Sequence, residues 1–482
     1  MEQNSLRNSV LGGFFWKFCE RFLNQGITFI VSLILARLLA PEDYGVVAIV
    51  MVFINLASVF INSGFSSALI QKKDADDTDF STMFFCSLAC AAVLYLVLFL
   101  AAPVVAYIYK NPALKLILRV YALNIPMSVC QSIQSAYISR HMLFRKTFIN
   151  SAINAVVCGA VGIGLAFAGF GVWALVFQSL VGTVANTIVL FFLIPWRPGL
   201  VFSKDSAKSM LGFGSRVLAA DLSATFFGEV RSLVVGAVYS TADLAFYNKG
   251  QQIPHLITNN LSGILGSVMF PAVANFSDDL QQVKMITRRG LRVLAYILVP
   301  CMFGLAAVME PLILFLFTDK WALSIPFGQI LSIDTCIAVL ELYYVQILKS
   351  IGRSDVVLKL EMMKKPVYLL LLIIGVSINV TALAVAMLVF DILALALDTW
   401  YMKKYIPYSI PEQLGDMLPA LGVGIVMAAV VFVVPSFNSL ILTLVVKIAI
   451  GAVVYLLGSV LFRLEAFQYL KNILLERFKK SK

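Results

Sequence analysis

The chain has 482 residues, 60% of them apolar before glycine is counted and only 13% charged, with a mean hydropathy of +0.91. A soluble domain carries about 45–50% apolar residues with glycine included and about 25% charged ones, so water is excluded as the main solvent. The excess of Lys and Arg over Asp and Glu, 11 charges, would point to nucleic acid in a soluble protein; here a membrane accounts for it.

A transmembrane helix needs about 20 mostly apolar residues. In chain order such runs cover 13–36, 44–66, 82–106, 116–138, 148–169, 172–194, 211–238, 250–273, 292–317, 327–348, 366–378, 380–400, 417–435 and 440–461, and a polar helix follows near 464–480. The first run lacks a small-residue cleavage site, as an uncleaved first span would. The eleventh is short. The fold class expected is an all-α integral membrane protein of about 14 transmembrane helices.

Lys and Arg accumulate on the cytoplasmic side of membrane proteins. With the N-terminus inside, 29 of the 37 cations fall on cytoplasmic segments, among them the run Lys349, Arg353, Lys359, Lys364 and Lys365. The opposite face keeps Arg37, Lys110, Lys115, Lys249 and Lys320, while Arg119, Arg231 and Lys447 fall within spans. This partition predicts an even number of spans with both termini in the cytoplasm, and it explains the net charge without nucleic acid.

Shifted by 200, the chain sets Ala36–Gly45 against Gly236–Ala245, two external turns with Asp43 and Asp243 in register, and at a shift of 199 Ser63-Gly64 meets Ser262-Gly263. Six spans separate the copies, which predicts parallel repeats about an axis along the membrane normal. The expected organisation is two pseudo-symmetric six-helix lobes, 1–195 and 211–402, then two trailing membrane helices at 415–462 and a cytoplasmic basic tail at 463–482.

Charges in hydrocarbon are costly and commonly face an interior cavity or a partner. Lys17, Glu20 and Arg21 share one face at the inner end of the first span; they read as a cytoplasmic anchor or as cavity lining. Glu229 and Arg231 lie near mid-membrane on span seven, point to nearly opposite sides, and each need a partner on another helix or a ligand. The Arg231 guanidinium suits a phosphate or pyrophosphate, with an inter-helix salt bridge as the bland alternative. Asp221 stands in the repeat where Arg21 stands, which makes the two candidates for an inner gate. Asp334 and Glu341 are seven apart on span ten, as are Asp391 and Asp398 on span twelve. Asp334, Glu341 and Asp391 are candidates for proton or Na⁺ coupling; Asp398 reads as a surface pair with Lys403.

Uncharged polar residues form stripes. Asn124, Ser128, Gln131, Ser132, Ser135 and Ser139 run down span four, and His255 and Asn259 sit in span eight beside Pro254. Such donors and acceptors suit a sugar-bearing ligand; helix-to-helix hydrogen bonding is the structural alternative. No P-loop, HExxH or cysteine–histidine cluster is present, and there are two His, so no enzyme, cofactor or metal site is expected. The seven Cys read as small buried hydrophobes.

The stretch Leu35-Ala36-Arg37-Leu38-Leu39-Ala40-Pro41-Glu42-Asp43-Tyr44-Gly45, with Glu20-Arg21-Phe22 before it and Gly64-Phe65-Ser66-Ser67-Ala68-Leu69-Ile70-Gln71 after it, resembles the N-terminal signature of Wzx-type polysaccharide-export flippases. These belong to the multidrug/oligosaccharidyl-lipid/polysaccharide (MOP) superfamily, and the likeness is to the branch with the colanic-acid and teichuronic-acid exporters. Ala242–Lys249, Phe270–Val273 and Ser350–Arg353 match more weakly. The resemblance implies two six-helix lobes around a cavity and alternating access. It also implies an undecaprenyl-pyrophosphate-linked oligosaccharide as cargo in a bacterial inner membrane, with polysaccharide polymerase machinery as a candidate partner. Lys17, Arg21 and Arg231 would then serve the pyrophosphate. A cation-coupled drug or metabolite antiporter of the same superfamily is the alternative function.

Overall fold

The computed structural model describes the backbone of residues 2–66, 69–70, 72 and 75–480. Side chains are described from Trp16 on, except those of 18, 63–65, 211, 213, 216, 259, 262–264, 267–268 and 473–480. Ser67, Ala68 and Gln71 of the second matching stretch therefore lie outside the described residues, as does the side chain of Asn259.

Every apolar run lies on helix, and the described residues hold no strand. Among the described residues, eleven helices are long and apolar enough to cross a membrane. The chain divides into two compact units, Met1–Ala245 and Phe246–Lys482.

The first unit opens with α1 (Glu2–Leu38) and α2 (Pro41–Val59), the latter ending in a π-helical turn, Phe60–Ser66. Pro41 at the first helical position, with Glu42 and Asp43 in the first turn, starts α2 where a fixed φ and negative charge are both favoured. α3 (Asp77–Ile108) starts on a reciprocal cap: the Asp79 N–H donates to Asp76 at 2.8 Å, and the Asp76 N–H donates to Asp79 at 3.1 Å. The fourth apolar run breaks at residues 122–123 into α4 (Ala113–Tyr121) and α5 (Asn124–Arg140). Then come α6 (Phe144–Phe167), α7 (Val172–Leu193) and α8 (Lys204–Val238). α6 packs between α1 and α7, α3 packs on α5, and α8 lies against α2, its π turn and α3. Helix α8, expected to open the second half, thus packs with the first unit.

α9 (Thr241–Ile264) crosses from the first unit into the second and ends in another π turn, Leu265–Met269, before the short α10 (Phe270–Ala274). The second unit continues with α11 (Leu280–Phe317), a 3₁₀ segment (Asp319–Ser324), α12 (Ile325–Ser350), α13 (Ser354–Ile378) and α14 (Val380–Tyr405). It closes with α15 (Ile410–Val433), α16 (Leu440–Leu461) and α17 (Glu465–Lys480). The eleventh run, short in sequence, is the apolar half of the 25-residue α13. α11 is the hub on which α12, α15, α16 and α17 pack, while α14 joins α12 to α13. Around it Leu298, Met302, Val339, Tyr343, Leu348, Met402 and Tyr408 form a buried core.

The element order repeats at an offset of about 200 residues: α2, its π turn and α3 correspond to α9, its π turn and α11. Large apolar side chains point outward along α3 (Leu96, Leu100, Val104), α13 (Leu370, Ile373) and α16 (Val445, Leu457, Leu461). That is the lipid-facing pattern, in which helices satisfy their own backbone and leave apolar side chains outside. Lipid tails supply no hydrophobic drive between helices, so close packing and polar contacts hold them together. Gly45 shows the first: a Cβ there would overlap the Thr241 carbonyl.

Candidate functional site

In the first unit the inner end of α1 is tied to α6. Glu20 accepts from Ser151 Oγ at 3.0 Å and from Lys17 Nζ at 3.3 Å. Lys17 also lies over the Phe144 ring at 5.7 Å, and Arg145 over Trp16 at 5.8 Å. Lys17 and Arg21 remain exposed, as does Asp221 on α8. The local ion pair of the anchor reading is therefore formed, between Lys17 and Glu20.

Glu229 finds the partner on another helix that its depth requires. Asn55 Nδ2 on α2 donates to it at 2.8 Å, a charge-assisted bond that outweighs a neutral one. Near it the Tyr109 hydroxyl donates to the Leu233 carbonyl at 3.2 Å. Arg231 is half-buried two residues on.

The polar stripe of the fourth run divides by role. Asn124 is buried, donating to the Tyr121 carbonyl at 3.0 Å and accepting from Thr183 Oγ1 at 2.6 Å, which joins α5 to α7. Ser128 donates to the Ile125 carbonyl at 2.8 Å, and Ser132 shares a 2.6 Å bond with Ser66. Gln131 is half-buried and Ser135 exposed, so the open part of the stripe lies toward its C-terminal end. In the second unit His255 is exposed on α9, and the Asn260 and Thr258 side chains turn back onto the Leu256 and Pro254 carbonyls at 2.7 and 3.3 Å.

The acidic residues of the second unit do not form one set. Asp334 is buried on α12 and Asp391 half-buried on α14. Glu341 instead bonds Lys364 Nζ at 2.5 Å, and the same ammonium bonds Asp398 at 2.8 Å. The expected surface pair of Asp398 with Lys403 is overturned: Asp398 is fully buried, because α14 turns that residue toward α13. Lys364, counted from sequence among loop cations, stands ten residues inside α13.

A second ionic cluster was missed. Arg288 and Arg292 on α11 both donate to Asp416 on α15, at 2.7 and 2.6 Å, and the Tyr408 hydroxyl donates to the same carboxylate at 2.6 Å. Arg292 also pairs with Glu465 at the start of α17, and a cavity of about 210 Å³ opens beside them. The i,i+4 spacing of Arg288 and Arg292 marked one basic face in the sequence, but Asp416 lies more than a hundred residues away. In the turn between α12 and α13, Arg353 binds Asp355 through two nitrogens at 3.0 and 2.9 Å. That fork holds the exposed carboxyl below its usual pKa. Among the described residues no cluster of His, Cys, Asp and Glu could hold a metal ion.

Helices with outward apolar faces, joined internally by polar and ionic contacts, define a multi-pass helical membrane protein. The chain belongs to the polysaccharide biosynthesis protein family, which it matches over residues 34–326. It is 26% identical to the succinoglycan biosynthesis transport protein ExoT of Rhizobium meliloti over 71% of this chain and 69% of that protein. It is 22% identical to the lipopolysaccharide biosynthesis protein WzxC of Escherichia coli over 77% and 76% of the two chains. Its fold is similar to that of a solved structure of the lipid II flippase MurJ, with a TM-score of 0.75 at 14% identity over 93% of this chain and 99% of that one.

Proposed function

We propose that this protein moves an undecaprenyl-pyrophosphate-linked oligosaccharide, the repeat unit of a polysaccharide, across the bacterial cytoplasmic membrane by alternating access. Membership in the polysaccharide biosynthesis family over residues 34–326 carries the reading, and the transport role named for ExoT supports it. In this reading the chain spans the membrane fourteen times, with both termini in the cytoplasm. The lobes are 1–195 and 211–402, helices 415–462 trail them, and 463–482 form a basic tail.

The physical task is to carry a bulky polar head through hydrocarbon while its polyprenyl tail stays in lipid. A cavity lined by cations and amides, open sideways to the bilayer, does this without covalent chemistry. Lys17, Arg21 and Arg231 would meet the pyrophosphate, whose paired oxygens fit guanidinium forks. Glu229, Gln131, Ser135 and His255 would meet the glycan. Asn124 and Ser128, already bonded within the first unit, would position that wall. Arg21 and Asp221 would close the inner side, and polysaccharide polymerase machinery would receive the product.

A strain lacking the protein should accumulate lipid-linked repeat units on the inner leaflet, and Arg231→Ala should insert normally but fail to relieve that accumulation. Relief equal to wild type would remove Arg231 from the site. No relief by the wild-type gene itself would reject the cargo.

A further inference from the structure

The second unit holds a charge cluster that does not cancel. Glu341 from α12, Lys364 from α13 and Asp398 from α14 meet at one ammonium, with distances of 2.5 Å to Glu341 Oε1 and 2.8 Å to Asp398 Oδ2. Their side chains are 17%, 5% and 0% exposed respectively. Two carboxylates and one ammonium leave a net negative charge inside a membrane helix bundle, where an uncompensated charge is strongly disfavoured. The deficit can be located to an atom. Asp398 Oδ1 is buried and has no hydrogen-bond partner among the described residues, although buried carboxylate oxygens ordinarily find a donor.

Among the described residues, Lys364 is the cation that bonds both carboxylates. The other titratable groups near Asp398 are Tyr344 from α12 and Glu361 from α13, and the latter adds negative charge. From α15 the neutral Gln413 amide donates to the Tyr408 carbonyl at 2.8 Å and to the Thr399 carbonyl at 3.4 Å, not to Asp398. Carboxylates sharing one low-dielectric site titrate as a set and retain a proton between them.

We propose that Glu341, Lys364 and Asp398 form a proton-binding site, the proton residing on Asp398 Oδ1 while Lys364 holds Oδ2 and Glu341. A metal cation fits less well. The ammonium already stands where the ion would bind both carboxylates, and one open oxygen falls short of the about six oxygens that a hard cation gathers. Uptake of the proton converts a carboxylate into a carboxylic acid and cancels the net charge of the cluster. Asp398 then holds Lys364 less tightly, and the junction of α13 with α14 becomes the part of the unit that responds to proton supply. The site is built from the second unit's own packing and is independent of the cargo assigned above.

The full-length protein in lipid nanodiscs, studied by infrared difference spectroscopy between mildly acidic and mildly alkaline buffer, tests this. The acidic form should show the carbonyl stretch of a protonated, buried carboxyl, shifted in D₂O. The band should be lost in Asp398→Asn, keep its intensity with a displaced midpoint in Glu341→Gln, and ignore replacement of K⁺ by Na⁺. Should Asp398→Asn fail to fold, wild-type protein carrying ¹³C-aspartate serves instead, and its band must move to lower frequency. A band that persists in Asp398→Asn, stays in place with labelled aspartate, is missing from the wild type, or is abolished by Na⁺ would overturn the assignment.

Discussion

Asp43 and Asp243 make the same bond two hundred residues apart in the sequence. Asp43 Oδ2 accepts the Ala40 N–H at 3.3 Å, and Asp243 Oδ2 accepts the Ser240 N–H at 3.1 Å. Each carboxylate reaches back from the first turn of its helix to the residue before it, which satisfies a backbone donor that the helix start leaves open. Each has one further contact: Asp43 also accepts the Val172 N–H at the start of α7, which ties two helices together, whereas Asp243 accepts the Ser240 hydroxyl at 2.6 Å, within its own turn. Asp243→Ala should therefore cost about 0.5–2 kcal/mol and Asp43→Ala clearly more, measured as thermal unfolding in one detergent. Equal losses would show that the α7 contact contributes no more than the local Ser240 hydroxyl bond to Asp243.

Gly45 tolerates no side chain. A Cβ would overlap the Thr241 carbonyl, and that backbone cannot swing aside as a flexible side-chain tip could. Gly45→Ala is expected to cost at least the 1–3 kcal/mol, approximately, of an overpacked core. A detergent-stable variant with wild-type unfolding would contradict the close approach of the Thr241 backbone to Gly45.

Removing Lys364 alone strands two carboxylates. Lys364→Met should destabilise the protein by about 3–5 kcal/mol, the range for breaking a buried ion pair from one side. Adding Glu341→Gln and Asp398→Asn to the same chain should restore most of the loss, since neutral groups need no counter-charge. Additive losses across the three changes would mean that the residues act separately.

Lys447 is the converse case. It is buried in α16, and no carboxylate lies within ion-pair distance among the described residues. Lys447→Met keeps the length of the side chain and removes a charge from an apolar helix, so it should stabilise the protein, by at most the about 2.5–3.5 kcal/mol that a charge costs at the centre of a membrane helix. A lower unfolding temperature in this variant would count against that account.

The Arg353–Asp355 fork is exposed on both sides. Hydrogen bonding from Arg353 lowers the Asp355 pKa in the folded protein, so its contribution is present above the ordinary aspartate pKa and is lost as pH falls through the depressed value. Asp355→Asn should leave unfolding nearly unchanged at neutral pH and high salt, because exposed pairs are screened. A loss as large as that in Lys364→Met would refute the ranking of the two sites.

The apolar runs, the proline and acidic starts of α2 and α3, and the register of the repeat were legible in the sequence, because each depends on neighbours within a few residues. Asp43 and Asp243 could be aligned from the chain alone. The need of Glu229 for a partner also followed from its depth, though nothing local named Asn55. Lys364 was misplaced among loop cations because Glu361, Lys364 and Lys365 together look like a solvated segment. Only the packing of α13 against α12 and α14 turns one of them inward, toward carboxylates 23 and 34 residues away. Asp398 was read as a surface residue for the same reason. Composition and periodicity determine that a helix enters the membrane, whereas which of its faces meets lipid and which meets a charge is decided when helices distant in sequence come together.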